Sequence, residues 1–154
     1  MQHIFTTILV AVLGYFSLVG GPTFAAGTSD GSSTAAATAP TYDEAKALVD
    51  AGNYTAALPL LASITKADAA NADAWNLLGF THRMLGQMDD ASKAYLVVLK
   101  INPNHLGALE YQGEMFAQTG KLDLAKANLA KLKGLCGNCE QVGDLEKALQ
   151  AAGA

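Results

Sequence analysis

The chain holds only two cysteines, three positions apart as Cys136-Gly137-Asn138-Cys139, and only three histidines, His3, His82 and His105. These are its soft and imidazole ligands, and they allow few chemistries. A C-x-x-C pair attaches c-type haem when a His follows, and residue 140 is Glu, which excludes that use. The pair could supply half of a zinc site, with His82 and His105 as the remaining candidates. It could exchange dithiol for disulfide at the start of a helix, although the redox motif belongs to βαβ surroundings and no strand pattern follows residue 40. It could also be a structural disulfide in an oxidising compartment, tying the end of one helix to the start of the next, and this is the favoured reading. Glu110 and Glu114 stand one helical turn apart and read as a solvated acidic stripe. No Ser, His and Asp constellation and no phosphate-cradling glycine loop is present. No metal, no cofactor and no catalysis are therefore expected.

The elements that carry these residues follow from composition. The 154 residues include 10 Lys and Arg against 14 Asp and Glu, a net charge of −4. Such a chain has no electrostatic footprint for nucleic acid and no basic stripe for anionic lipid. Ile4 to Val19 is almost wholly apolar, Gly20-Gly21-Pro22 breaks it, and Thr23-Phe24-Ala25 offers small residues at −3 and −1 of a cut after Ala25. Residues 1–25 thus read as a signal peptide, and the expected location is exported and periplasmic. No Lys or Arg precedes the apolar run, so an inner-membrane anchor through residues 4–19 is the alternative, though the run is short for a span. Residues 26–40, rich in Ser, Thr, Ala and Gly, read as a flexible linker. After residue 40 Ala is frequent and β-branched residues are sparse, which favours helix.

A repeat organises residues 41–154. Gly52, Gly86 and Gly120 recur every 34 residues, as do Ala57, Ala91 and Ala125, and Ala45, Gly79 and Gly113. The small residues suit places where two antiparallel helices cross closely. The three glycines suit the left-handed position that ends the first helix of each pair. Asp89, Asp90 and Asp123 then fall in first turns, the favourable end of the helix dipole. The predicted helices are Tyr42–Ala51 and Thr55–Ala67, Ala72–Leu85 and Asp89–Ile101, Gly107–Thr119 and Leu122–Lys133. A last helix over Glu140–Ala151 has Val142, Leu145, Ala148 and Leu149 on one stripe, as a cap over an exposed end would.

On these residues the chain resembles the tetratricopeptide repeat family. Trp75, Leu78, Gly79, Ala91, Tyr95 and Pro103 match its W-x2-L-G-x2-Y, small, aromatic and Pro positions, with His82 in place of the usual Tyr. Gly113, Phe116, Gly120 and Ala125 match in the third unit, where Leu109 and Gly137 replace Trp and Pro. The first unit is weaker, with Thr41 in the Trp slot. The resemblance implies an all-α solenoid of three helix-turn-helix repeats, about 38–71, 72–105 and 106–139, plus a cap helix 140–151. The Leu-Cys…Cys-Glu flank at 135–140 is similar to capping segments of exported bacterial members.

The same resemblance implies a concave face lined by the first helix of each repeat, over Tyr42, Lys46, Val49, Asn76, Phe80, Arg83, Glu110 and Glu114. With Lys46 and Arg83 positive and the two glutamates negative, that face should be polarised along its length. The family's chaperone-tail carboxylate clamp is not expected, since Leu77 and Tyr42 stand where its polar residues would be. The chain therefore reads as a non-catalytic interaction scaffold for a protein or peptide partner. The alternatives are a thiol-redox or metal-handling protein using the cysteine pair, and a self-associating scaffold. Phe80 and Arg83, one turn apart, form the expected binding anchor; otherwise Phe80 packs against the neighbouring repeat.

Overall fold

The computed structural model describes residues 39–154. The signal segment 1–25, the anchor alternative 4–19 and nearly all of the 26–40 linker lie outside the described residues. Seven helices follow: α1 Tyr42–Asp50, α2 Tyr54–Ala67, α3 Ala72–Met84, α4 Met88–Ile101, α5 Leu106–Gln118, α6 Leu122–Cys136 and α7 Glu140–Ala151. No strand occurs among the described residues, and none of these helices is long and apolar enough to cross a membrane.

The 34-residue register is a register of turns. Gly52, Gly86 and Gly120 have φ of 75°, 75° and 73°, the region where a Cβ is unfavourable. The residue after each one donates its N–H back into the preceding helix: Asn53 to the Leu48 carbonyl at 2.7 Å, Gln87 to His82 at 2.9 Å and Lys121 to Phe116 at 2.8 Å. Each turn thereby satisfies carbonyls that a helix end leaves orphaned and reverses the chain in the same way. The first helix of each pair starts on a side-chain cap. Thr41 and Glu44 form a capping box on α1. The Asn71 side chain accepts the Ala74 N–H, and 34 residues later the His105 Nδ1 accepts the Ala108 N–H.

The core is a row of clusters rather than one centre, as expected of stacked helix pairs. Ala45, Val49, Ala57, Leu61 and Leu78 join α1, α2 and α3. Ala91, Tyr95 and Met115 join α4 to α5. Leu109, Ala125, Leu132, Val142, Leu145 and Leu149 join α5, α6 and α7. Gly79 lets the Tyr95 ring approach α3 closely: an added Cβ would stand 2.6 Å from Tyr95 Cε1. Gly113 has a different partner from the one expected, since its Cβ would meet Leu145 of α7, not a residue of α6. The cap helix enters the seam that a further repeat would occupy.

One expectation is corrected: the sixth helix runs on to Cys136, three residues past Lys133, and stops where Gly137 takes φ 69°. His105 has a structural place between repeats. Its side chain is 13% exposed, with Nε2 2.9 Å from Asp73 Oδ1, so it ties the start of α5 to α3.

Candidate functional site

The first helices α1, α3 and α5 lie side by side, and a cleft of about 370 Å³ opens along them. Tyr42, Lys46 and Val49 line it from α1, Asn76 and Phe80 from α3. These five were expected on this face. The positions obey the repeat: Tyr42 and Asn76 are register mates, as are Lys46 and Phe80.

Tyr54 of α2 and Tyr111 of α5 also line the cleft, and neither was expected there. Tyr111 was legible, because it is the register mate of Leu77, which lines the cleft too. Tyr54 had no such signal; it opens the second helix and reaches the face only through the turn at Gly52. Together they build an aromatic wall. The Phe80 ring sits 4.9 Å from Tyr111 and 6.1 Å from Tyr54, centre to centre, within the range of favourable edge and tilted contacts. Phe80 is half-buried, so it both packs between repeats and shows a face to the cleft. The Asn76 Oδ1 is buried and without a partner, which leaves an acceptor at the wall.

The expected polarity of the face is corrected. Arg83 is not a groove cation. Its Nη2 lies 2.6 Å from Glu114 Oε2, its side chain is 6% exposed, and its Cζ stands 5.3 Å from the Phe80 ring centre and 5.7 Å from that of Tyr111. The cation that sequence alone placed opposite the glutamates is consumed by one of them. Lys46 is exposed and paired with Asp50 at 2.6 Å, on its own helix. Nor are Glu110 and Glu114 a solvated stripe: Glu110 is 7% exposed and Glu114 is half-buried.

Burial sets the electrostatics. It pushes the Glu110 carboxyl up to about 7, helped by the charges of Glu114, Asp144 and Glu140 and opposed by Arg83. Glu114 is raised for the same reason, with Arg83 as the main counterweight. The Tyr95 hydroxyl is buried without a hydrogen-bond partner, and its phenol is pushed far above the usual range by that burial.

Cys136 and Cys139 are joined in the structure, bridging the end of α6 to the start of α7. No group of three or more His, Cys, Asp or Glu side chains that could hold a metal occurs among the described residues, and neither His82 nor His105 joins the pair in such a group. His82 Nδ1 instead meets Gln87 Oε1 at 2.6 Å.

Residues 42–105 match the tetratricopeptide repeat family. No curated protein matches the chain. Among solved structures, it is similar to the first TPR of Spaghetti (RPAP3) bound to the HSP90 peptide SRMEEVD: 18% identity, 73% of this chain and 90% of that one, TM-score 0.65. It is similar also to the Yersinia enterocolitica type III secretion chaperone SycD in complex with a peptide of the translocator YopD: 20% identity, 73% and 88%, TM-score 0.64. At these identities the likeness is one of fold. By its glycine register, its helix pairs and the match over residues 42–105, the described part of the chain is an all-α solenoid of tetratricopeptide repeats.

Proposed function

We propose that the chain is a non-catalytic interaction scaffold that holds a peptide or protein segment of a partner on the face of α1, α3 and α5. The observation that carries this is the cleft beside Phe80, walled by Tyr42, Tyr54 and Tyr111. A concave cleft that sets aromatic rings among polar groups, here Lys46, Asp50 and Asn76, has the makeup of a recognition site. Two proteins of similar fold hold peptides, one from HSP90 and one from a translocator, which supports the reading. On sequence alone, residues 1–25 and the linker 26–40 would deliver the repeats to the periplasmic side of a cell envelope and let them stand away from it. Affinity capture from the envelope tests both parts. The wild-type chain should retain a partner that Tyr42→Ala and Tyr111→Ala lose. Equal capture by all three would remove the cleft from the binding surface.

A further inference from the structure

The α5–α7 end of the same face carries charge that the fold leaves uncompensated. Glu110 and Glu114 of α5 stand with Glu140 and Asp144 of α7 near enough for each to raise the proton affinity of Glu110. Two cations answer these four carboxylates. Arg83 is committed to Glu114, and Lys147, one turn along α7 from Asp144, pairs with it at 2.8 Å while 77% exposed. Glu110 is 93% out of solvent, by its 7% exposure, and makes no hydrogen bond or ion pair among the described residues. Its oxygens are not among the sealed, unpartnered atoms of the fold, so its carboxyl keeps contact with solvent, and as the register mate of Tyr42 and Asn76 it stands on the side of α5 that continues the cleft. A buried carboxylate is costly unless paired, and the partner it lacks is a cation.

Resting on the peptide-binding reading above, we infer that this end of the face takes a Lys or Arg side chain of the bound segment, with Glu110 as its principal acceptor. Glu140 and Asp144 provide the surrounding negative field, and the rings of Phe80 and Tyr111 accept the apolar neighbour of that cation in the adjoining cleft. The chain's own first 38 residues contain no Lys or Arg, so they do not supply such a side chain. A segment acidic on balance would meet like charge here, so SRMEEVD, whose single Arg is followed by three carboxylate side chains, is disfavoured as a whole. Engaging a cation requires Glu110 ionised, so binding should strengthen as pH rises through about 7. The groups facing Glu110 are Glu114 and Tyr111 on its own helix, Arg83 on α3, and Glu140 and Asp144 on α7.

The test is selection of a displayed library of random dodecapeptides on the full chain at pH 7.5 and low salt, with SRMEEVD as a competitor. Selected peptides should be enriched in Lys or Arg at a fixed distance from an aromatic or aliphatic residue, and SRMEEVD should not displace them. Replacing that Lys by Gln should weaken binding about tenfold on the wild type and hardly at all on Glu110→Gln, as expected for a charge-assisted contact. Glu140→Gln, at an exposed position, should give a smaller loss and serves if Glu110→Gln melts early. Peptides with no basic bias, or an acidic one, that still need Tyr42 and Tyr111 would overturn the cation site and leave the groove. Peptides that ignore Tyr42→Ala and Tyr111→Ala, or no selection at all, would overturn both.

Discussion

Arg83 of α3 and Glu114 of α5 meet at 2.6 Å, and the contact is the polar bolt between the second and third repeats. Both side chains are largely out of water, so each depends on the other. Arg83→Ala leaves Glu114 unpaired and should cost about 3–5 kcal/mol of stability. Arg83→Met combined with Glu114→Leu should recover most of that loss, because the desolvated charges go together. Urea unfolding of the single and double variants measures both. A stability loss near zero for Arg83→Ala would mean the pair is solvated in the folded chain.

How much of this was legible in sequence depends on what the repeat could carry. Gly52, Gly86 and Gly120 specify backbone geometry, which recurs wherever the turn recurs, and their positions fixed the helix pairs to within a few residues. Tyr42, Lys46, Val49, Asn76 and Phe80 share a face because register mates share a face. Arg83 and Glu114 are not register mates, and nothing local says that one reaches the other across a repeat boundary. The same holds for Gly113 against Leu145, where the cap helix stands in for a missing repeat. Periodicity reports which side of a helix a residue occupies; it does not report which side chain from the next helix will close over it.

Gly79 is required by the close contact with Tyr95. The Cβ of Gly79→Ala would stand 2.6 Å and 2.8 Å from two ring atoms of a fully buried tyrosine. The ring must move, and overpacking of this kind typically costs about 1–3 kcal/mol. Gly113→Ala should cost less, because Leu145 can change rotamer more easily than the Tyr95 ring can leave its slot. Thermal melts of the two variants give the order. A larger loss at Gly113 would show that the α5–α7 seam is the more rigid of the two.

Glu110 makes stability depend on pH. Its carboxyl is raised from an ordinary 4.5 to about 7 in the folded chain, so between those values the fold holds a proton that the unfolded chain has released. Stability should therefore be greatest below about 4.5, as far as this group decides it, and fall as pH rises through 7. Glu110→Gln should be more stable than wild type at pH 8, by about 1–2 kcal/mol, with a flatter profile between pH 5 and 7. Parallel pH profiles with no gain at pH 8 would show that Glu110 is solvated as an anion.

The Cys136–Cys139 bridge closes a very short ring, and such rings restrict the unfolded chain little. Cys136→Ala with Cys139→Ala should lower the melting temperature by a few degrees and leave peptide binding unchanged, since the pair stands outside the cleft. Peptide binding lost together with a thiol-exchange activity in the same variant would favour the redox alternative.

Binding on the face of α1, α3 and α5 is read from proton–nitrogen correlation spectra of the full chain, titrated with the tightest peptide from the dodecapeptide selection. The largest amide shifts should fall around Tyr42, Tyr54, Asn76, Phe80 and Tyr111, while α4 and α6 around the exposed Leu96 and Leu124 stay unmoved. Shifts centred on Leu96 and Leu124, with the five cleft residues unmoved, would contradict it.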